Sequence, residues 1–161
     1  MGLIAGLGWV VLAGASVGSP APALSGGTAW LGSPALSLPD LKGKVVLVEF
    51  WTFRCWNCRN LEPHVKEWHD RYRSEGLVVI GVHTPELDSE RDPAAVKAYL
   101  AREKIDWPVL LDPDYAVWNG WGNRYWPALY LVDKRGILRY LHVGEGEYPE
   151  TAARIEALLE E

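Results

Sequence analysis

A chain of 161 residues with 48% hydrophobic content can bury one real core and is too short to require two domains or a disulfide framework. Its formal charge of −5 comes from acids and bases scattered along the chain with no basic block, so nothing points to nucleic acid as a partner. It holds nine tryptophans and two cysteines, Cys55 and Cys58.

No charged residue precedes Asp40, and an apolar run extends from Leu3 to Val17. The run is short and Gly-rich for a membrane span, but it suits the apolar centre of a secretory signal, with small residues for cleavage at Ala21-Pro22-Ala23. No Lys or Arg stands ahead of it, and no cysteine is available there for lipid attachment. Residues 1–23 are therefore read as a signal peptide or N-terminal anchor, and residues 24–161 as one domain. That places the domain outside the cytoplasm, in the periplasm or on the outer face of the membrane. A Gly-rich arm on a cytoplasmic protein is the alternative.

From Thr28 the elements alternate regularly. TAWLG is a short extended piece, and PALSLPDLKGK is loop. KVVLVEFW, residues 44–51, is a continuous β-branched and apolar run, as in a strand covered on both faces. Over residues 58–73, Leu61, Val65, Trp68 and Tyr72 recur at helical spacing until Gly76 stops the chain. LVVIGVH is a second buried strand. Asp92-Pro93 opens a helix carrying Val96, Tyr99 and Leu100 on one face. WPVLLD is a short strand, and DYAVWNGWG holds a helical turn or two. PALYLVD and ILRYLHV are strands joined by a tight Lys134-Arg135-Gly136 hairpin. The tail from Tyr148 is helical, with Ile155, Leu158 and Leu159 facing inward. This order predicts an α/β domain with a central mixed sheet and helices on both faces.

Cys55 and Cys58 stand where a buried strand ends and a helix begins. Side chains three apart on a helix share a face, with Cβ atoms roughly 5–6 Å apart, so a small adjustment opens or closes a disulfide. Free N–H groups at the helix N-terminus, with Arg54 and Arg59 nearby, favour a thiolate on Cys55, leaving Cys58 as the resolving thiol. A structural disulfide would gain little from closing so short a loop. For a metal, His64 sits about 240° around the helix from Cys58 and His69 five residues further on, so neither converges on the sulfurs. Both are expected on the solvated side. His83 and His142 each end a strand pattern and stand as candidates to lie nearer the site.

The strand, the aromatic, the C-x-x-C, the helix with Pro63 and the later WPALYLVDKRG together resemble the thioredoxin superfamily over residues 28–160. SERDPAAVKAYL resembles the TlpA/ResA-type extracytoplasmic thiol–disulfide oxidoreductases. FW-T-x-x-C-x-N-C, GVHTPE, NRYWPALYL and GEGEY are similar to thioredoxin-like domains of the DipZ type. The resemblance implies a thioredoxin-like fold, with Cys55 as nucleophile and Cys58 as resolving cysteine. Glu49 stands for the buried acid that takes and returns the Cys58 proton, and Pro127 for the cis-proline facing the disulfide. Trp126 then presents backbone to a substrate strand. Trp56, between the cysteines, is a candidate grip on a partner, and Trp51, Phe53, Trp118, Trp121 and Trp126 are candidate walls of an apolar groove.

The resemblance further implies protein thiols and disulfides as substrates, an upstream reductase or membrane electron donor, no prosthetic group and a monomer. It departs from the family in Arg54, in the Trp56-Asn57 pair, and in Leu61, which stands three residues after Cys58 where the ResA type has an acid. Two alternatives remain. T-x-x-C at residues 52–55 fits a peroxiredoxin-like peroxide reductase, although Val48 stands where its Pro is expected. Two cysteines with a distant His142 fit a copper-carrying module.

Overall fold

The computed structural model describes residues 14–161. The expected leader run falls largely on residues 1–13, outside the described residues. In chain order the elements are β1 (Ala29–Leu31), β2 (Val45–Trp51), α1 (Trp56–Tyr72), β3 (Leu77–His83), α2 (Pro93–Glu103), β4 (Val109–Leu111), α3 (Ala116–Gly120), β5 (Ala128–Val132), β6 (Leu138–Val143) and α4 (Tyr148–Glu160). Among them no helix is long and apolar enough to cross a membrane.

The strands form one six-stranded sheet in the order β1-β4-β3-β2-β5-β6. β2, β3 and β4 run parallel, while β1, β5 and β6 pair antiparallel with their neighbours, giving the expected mixed sheet. β2 lies inside the sheet and all seven of its residues are buried, which is why it reads as an unbroken apolar run rather than an alternation.

Alternation still decides which side chain meets which layer. Val45, Leu47 and Trp51 face a core built with α1, α2 and α4 through Leu61, Val65, Tyr99 and Ile155. Val46, Val48 and Phe50 face the opposite core, with Val117, Trp118 and Trp121. Helices therefore cover both faces unequally, three on one side and the five-residue α3 on the other. Residues 14–24 share that second side. Gly18 N donates to Leu138 O at 2.8 Å and Ala21 N to Gly136 O at 2.9 Å, while Trp121 Nε1 donates to Ala23 O at 3.1 Å.

α1 begins two residues earlier than its apolar periodicity, because Trp56 and Asn57 face solvent and Cys55 is itself the N-cap. Asp92 caps α2 as the sequence implies, its carboxylate accepting from Ala94 N at 2.9 Å.

Close approach fixes a glycine beside the site. Gly81 pairs with Glu49 across β2 and β3, and a Cβ built there would lie 2.7 Å from Trp51 Nε1 and 3.3 Å from Val109 Cγ2. The Trp51 indole rests on this bare backbone. We expect Gly81→Ala to force the indole aside and to lower stability by about 2 kcal/mol. Urea unfolding of the oxidised protein reads this directly, and an unchanged midpoint would show that Trp51 accommodates the methyl.

Candidate active site

At the junction of β2 and α1 the two cysteines are joined as a disulfide, with Cα atoms 5.2 Å apart. Cys55 occupies the N-cap, in extended backbone, and the N–H of Cys58 donates to its Sγ at 3.1 Å. The sulfur of residue 55 thus receives a helix N-terminal donor, the group best placed to stabilise negative charge there. Cys55 is half-buried, whereas Cys58, one turn inside, is 3% exposed. The two sulfurs therefore differ in access.

Glu49 comes from the same alternation that orders the core. It shares parity with Leu47 and Trp51, so it points into the α1 layer, and it is buried. Burial pushes its carboxyl up to about 8, with the charge of Glu62 adding to the rise. Glu49, Cys58 and Glu62 line one small cavity of about 10 Å³, together with Trp51 and Trp107. The indole Nε1 atoms of both tryptophans have no hydrogen-bond partner among the described residues.

Glu62 is a site residue that the family pattern does not mark. The pattern puts an acid three residues after Cys58, where Leu61 is buried in the core, but position four lies on the same helix face. Glu62 accepts from Lys66 Nζ at 2.6 Å and from the Tyr99 hydroxyl at 2.5 Å, which ties α1 to α2 beside the thiol. Burial and this acid hold the Tyr99 phenol well above its ordinary value, so it stays a donor.

The candidate aromatic groove divides. Trp56 is 73% exposed beside the disulfide, with Tyr125, also exposed, on the loop before Trp126. Trp118 and Trp121 instead lie in the core on the other face of the sheet, packed edge-on against Phe50 at 6.0 and 5.8 Å, and Trp51 is buried. Trp126 is half-buried, 4.2 Å from Trp118 between ring centres, with its Nε1 donating to Thr84 O at 2.8 Å. The Trp126–Pro127 peptide bond is cis. Because Ala128 pairs with Phe50, Trp126 and Pro127 stand at the end of the sheet where β2 passes into the cysteine pair.

The histidines separate by burial. His83 is 2% exposed, 3.2 Å from Thr52 Oγ1 and stacked on Phe53, and burial lowers it to about 4, so it is neutral at pH 7. His64 and His69 are not on a solvated face. His64 stacks on Tyr148, and His69 Nε2 lies 2.9 Å from Asp106 against Trp107. His142 sits on β6, its Nε2 3.3 Å from Glu145 O. Among the described residues no three His, Cys, Asp or Glu side chains gather where a metal could be held.

A second buried acid supports the loop before Cys55. Glu90 is 1% exposed, and its carboxylate accepts from Arg54 N at 3.0 Å, Glu86 N at 2.9 Å and Leu87 N at 2.7 Å. It sits in the segment GVHTPELDSE, where nothing in the local pattern distinguishes it from its exposed neighbours.

Residues 17–141 match the AhpC/TSA family. Protein DipZ of Mycobacterium tuberculosis is 45% identical over 142 residues, covering 86% of this chain and 20% of DipZ, so the chain spans about a fifth of that relative. Thiol-disulfide oxidoreductase YkuV of Bacillus subtilis is 32% identical over 142 residues, covering 88% of this chain and 95% of YkuV. Among solved structures, the thioredoxin-like superfamily protein SPOA0173 superposes with a TM-score of 0.82 at 30% identity, covering 89% of this chain and 97% of the other.

The raised Glu49 acid has a measurable cost. Between its ordinary 4.5 and about 8 the unfolded chain releases the proton while the fold retains it, so stability falls as pH rises through that window. The slope is about 1.4 kcal/mol per pH unit. Relative to Glu49→Gln, the oxidised wild type should lose about 4 kcal/mol between pH 4 and pH 8. Urea titrations at the two pH values test this, and a pH-independent difference would mean that the carboxyl ionises normally.

Proposed function

We propose that this chain, which belongs to the AhpC/TSA family of thioredoxin-like proteins, is a thiol–disulfide oxidoreductase that exchanges disulfides with protein partners through Cys55 and Cys58. The observation that carries the reading is the pair itself: an accessible sulfur at a helix N-cap, bonded to a buried one beside an acid. The likeness to YkuV along nearly its whole length supports the same class of chemistry.

In the reducing direction, the Cys55 thiolate attacks one sulfur of a partner disulfide. The partner's other sulfur leaves with the electron pair, and a mixed disulfide joins Cys55 to the partner. Cys58, deprotonated, then attacks Cys55 Sγ, forming the intramolecular disulfide and releasing the partner's second thiolate. Glu49 takes the Cys58 proton and returns it when the pair is reduced again. A carboxyl raised to about 8 can take up a proton near neutral pH and give it back, as this step requires. Trp126 and Pro127 offer the backbone edge along which a substrate chain lies, and Trp56 presents an exposed ring to it.

The apolar run before Gly18 is read as a leader or anchor that places the domain on the extracytoplasmic side, with residues 24–161 as the thioredoxin-like domain. The hydrogen bonds that hold Gly18 and Ala21 to β6 and its hairpin favour an anchor that is retained over removal up to Ala23. An upstream reductase or membrane donor would reopen the disulfide.

The AhpC/TSA match keeps peroxide reduction as a second reading. Against it, Thr52 is fully buried and hydrogen-bonded to neutral His83, which leaves no exposed hydroxyl at that position to hold a peroxide. Hydrogen peroxide consumption faster than that of a free thiol would favour it.

Cys58→Ala should trap a covalent complex with substrate protein, visible by non-reducing electrophoresis and mass spectrometry, and Cys55→Ala should not. Equal trapping by both variants would remove the assigned roles. Glu49→Gln should keep the first attack and slow the second by about 10²-fold, so that mixed disulfide accumulates transiently.

A further inference from the structure

A groove between α1 and α2 plays no part in the exchange steps above. It is about 610 Å³ in volume and begins at Phe53 and Arg54, immediately before Cys55. From there it continues past Arg59 and Tyr99 to Arg102. Its floor is apolar, with Phe53 and Tyr99 stacked at 5.7 Å between ring centres. Its margin carries three guanidinium groups.

These cations are incompletely balanced. Arg102 Nε lies 2.8 Å from Glu103, and the neighbouring Lys66 is paired with Glu62 at 2.6 Å. Arg54 donates to the Ser89 hydroxyl at 3.0 Å. Among the described residues, neither Arg54 nor Arg59 has a carboxylate within 4.0 Å. Arg102, Lys66 and Arg59 all act on Glu103, and Glu62 also acts on Arg102, so two carboxylates serve three cations on this flank. On a chain with a net charge of −5, the groove beside the reactive sulfur is a locally positive site.

The geometry points to a docking groove for an acidic, extended segment of the substrate protein, with Asp or Glu side chains on Arg54 and Arg59 and an apolar side chain over Phe53 and Tyr99. This names the substrate class of the exchange proposed above and rests on it. The guanidinium fork matches a carboxylate in shape and charge. The three guanidinium groups share one groove with the apolar side chains of Phe53, Ala95 and Ala98, which suits a chain segment rather than a small anion. Exposed ion pairs add little affinity, so the effect falls on encounter rate and on the choice between partners.

The test uses reduced protein and three peptides of equal length, each carrying its one cysteine as a mixed disulfide with pyridinethiol, flanked by glutamate, glutamine or lysine. Cys55 attacks the peptide sulfur, pyridinethione departs with the electron pair, and its absorbance reports the rate. At low ionic strength the glutamate peptide should react about tenfold faster than the lysine peptide. That ratio cancels any change in the thiol itself. It should fall towards one in the Arg54→Gln/Arg59→Gln double variant and in high salt. It should hold in Arg71→Gln, which removes a positive charge from a different cavity, near the other end of α1. A double variant with the full ratio, or an equal loss in Arg71→Gln, would overturn the groove. Failure of the wild type to react with any of the three peptides would instead overturn the exchange reading.

Discussion

The hydrogen bond from the Cys58 N–H to Cys55 Sγ is the contact on which the rest of the site depends. It exists because a strand buried on both faces ends at Trp51 and a helix starts at Trp56, leaving Cys55 as the residue that caps the helix. A helix N-terminus has donors without internal partners, and here one of them is aimed at sulfur. Shift the helix start by one residue and the donor meets a different side chain. The placement of β2 at the heart of the sheet, between β3 and β5, fixes where that start falls.

Much of this frame is legible in the chain. LVVIGVH is β3 from end to end, and the Asp92-Pro93 signal caps α2, because buried strands and helix caps leave marks at the residues themselves. The start of α1 is less legible, since apolar periodicity reports the buried face and its first residues face water. Trp118 and Trp121 mislead for a related reason. Proximity in sequence to a Trp-Pro site says nothing about which side of a sheet a residue occupies, and a five-residue helix is too short to show a face. Glu62 is visible only once α1 is known to continue unbroken through Pro63, with Cys58 and Glu62 one turn apart. Glu90 leaves no local mark, because its partners are backbone N–H groups supplied in part by a loop 36 residues away.

Glu90 also shows how the loop before the cysteines is held without repetitive structure. Three N–H groups from two segments converge on one buried carboxylate, joining the β3–α2 connection to the peptide of Arg54. A buried charge is tolerated only when such donors surround it. The same connection delivers α2, whose Tyr99 closes the cavity beside Cys58 and stacks on Phe53. The segment between β3 and β4 thus supports both cysteines, the outer one through Glu90 and the inner one through Tyr99.

What emerges is a separation of charge across the disulfide. On the solvent side, the helix terminus aims an N–H donor at the half-buried sulfur, and Arg54 precedes it in the chain. On the inner side, Glu49 and Glu62 line the cavity of the buried sulfur, and the charge of Glu62 adds to the rise that burial imposes on Glu49. Positive surroundings stabilise a thiolate, whereas a buried acid near 8 disfavours one and instead trades protons with a thiol. In the proposed exchange the two cysteines need these opposite properties, one standing ionised to attack and the other ionising only when called upon. Three residue steps along the chain separate them, and a strand-to-helix junction, with one residue facing out and the other one turn in, allows such different surroundings at so short a spacing.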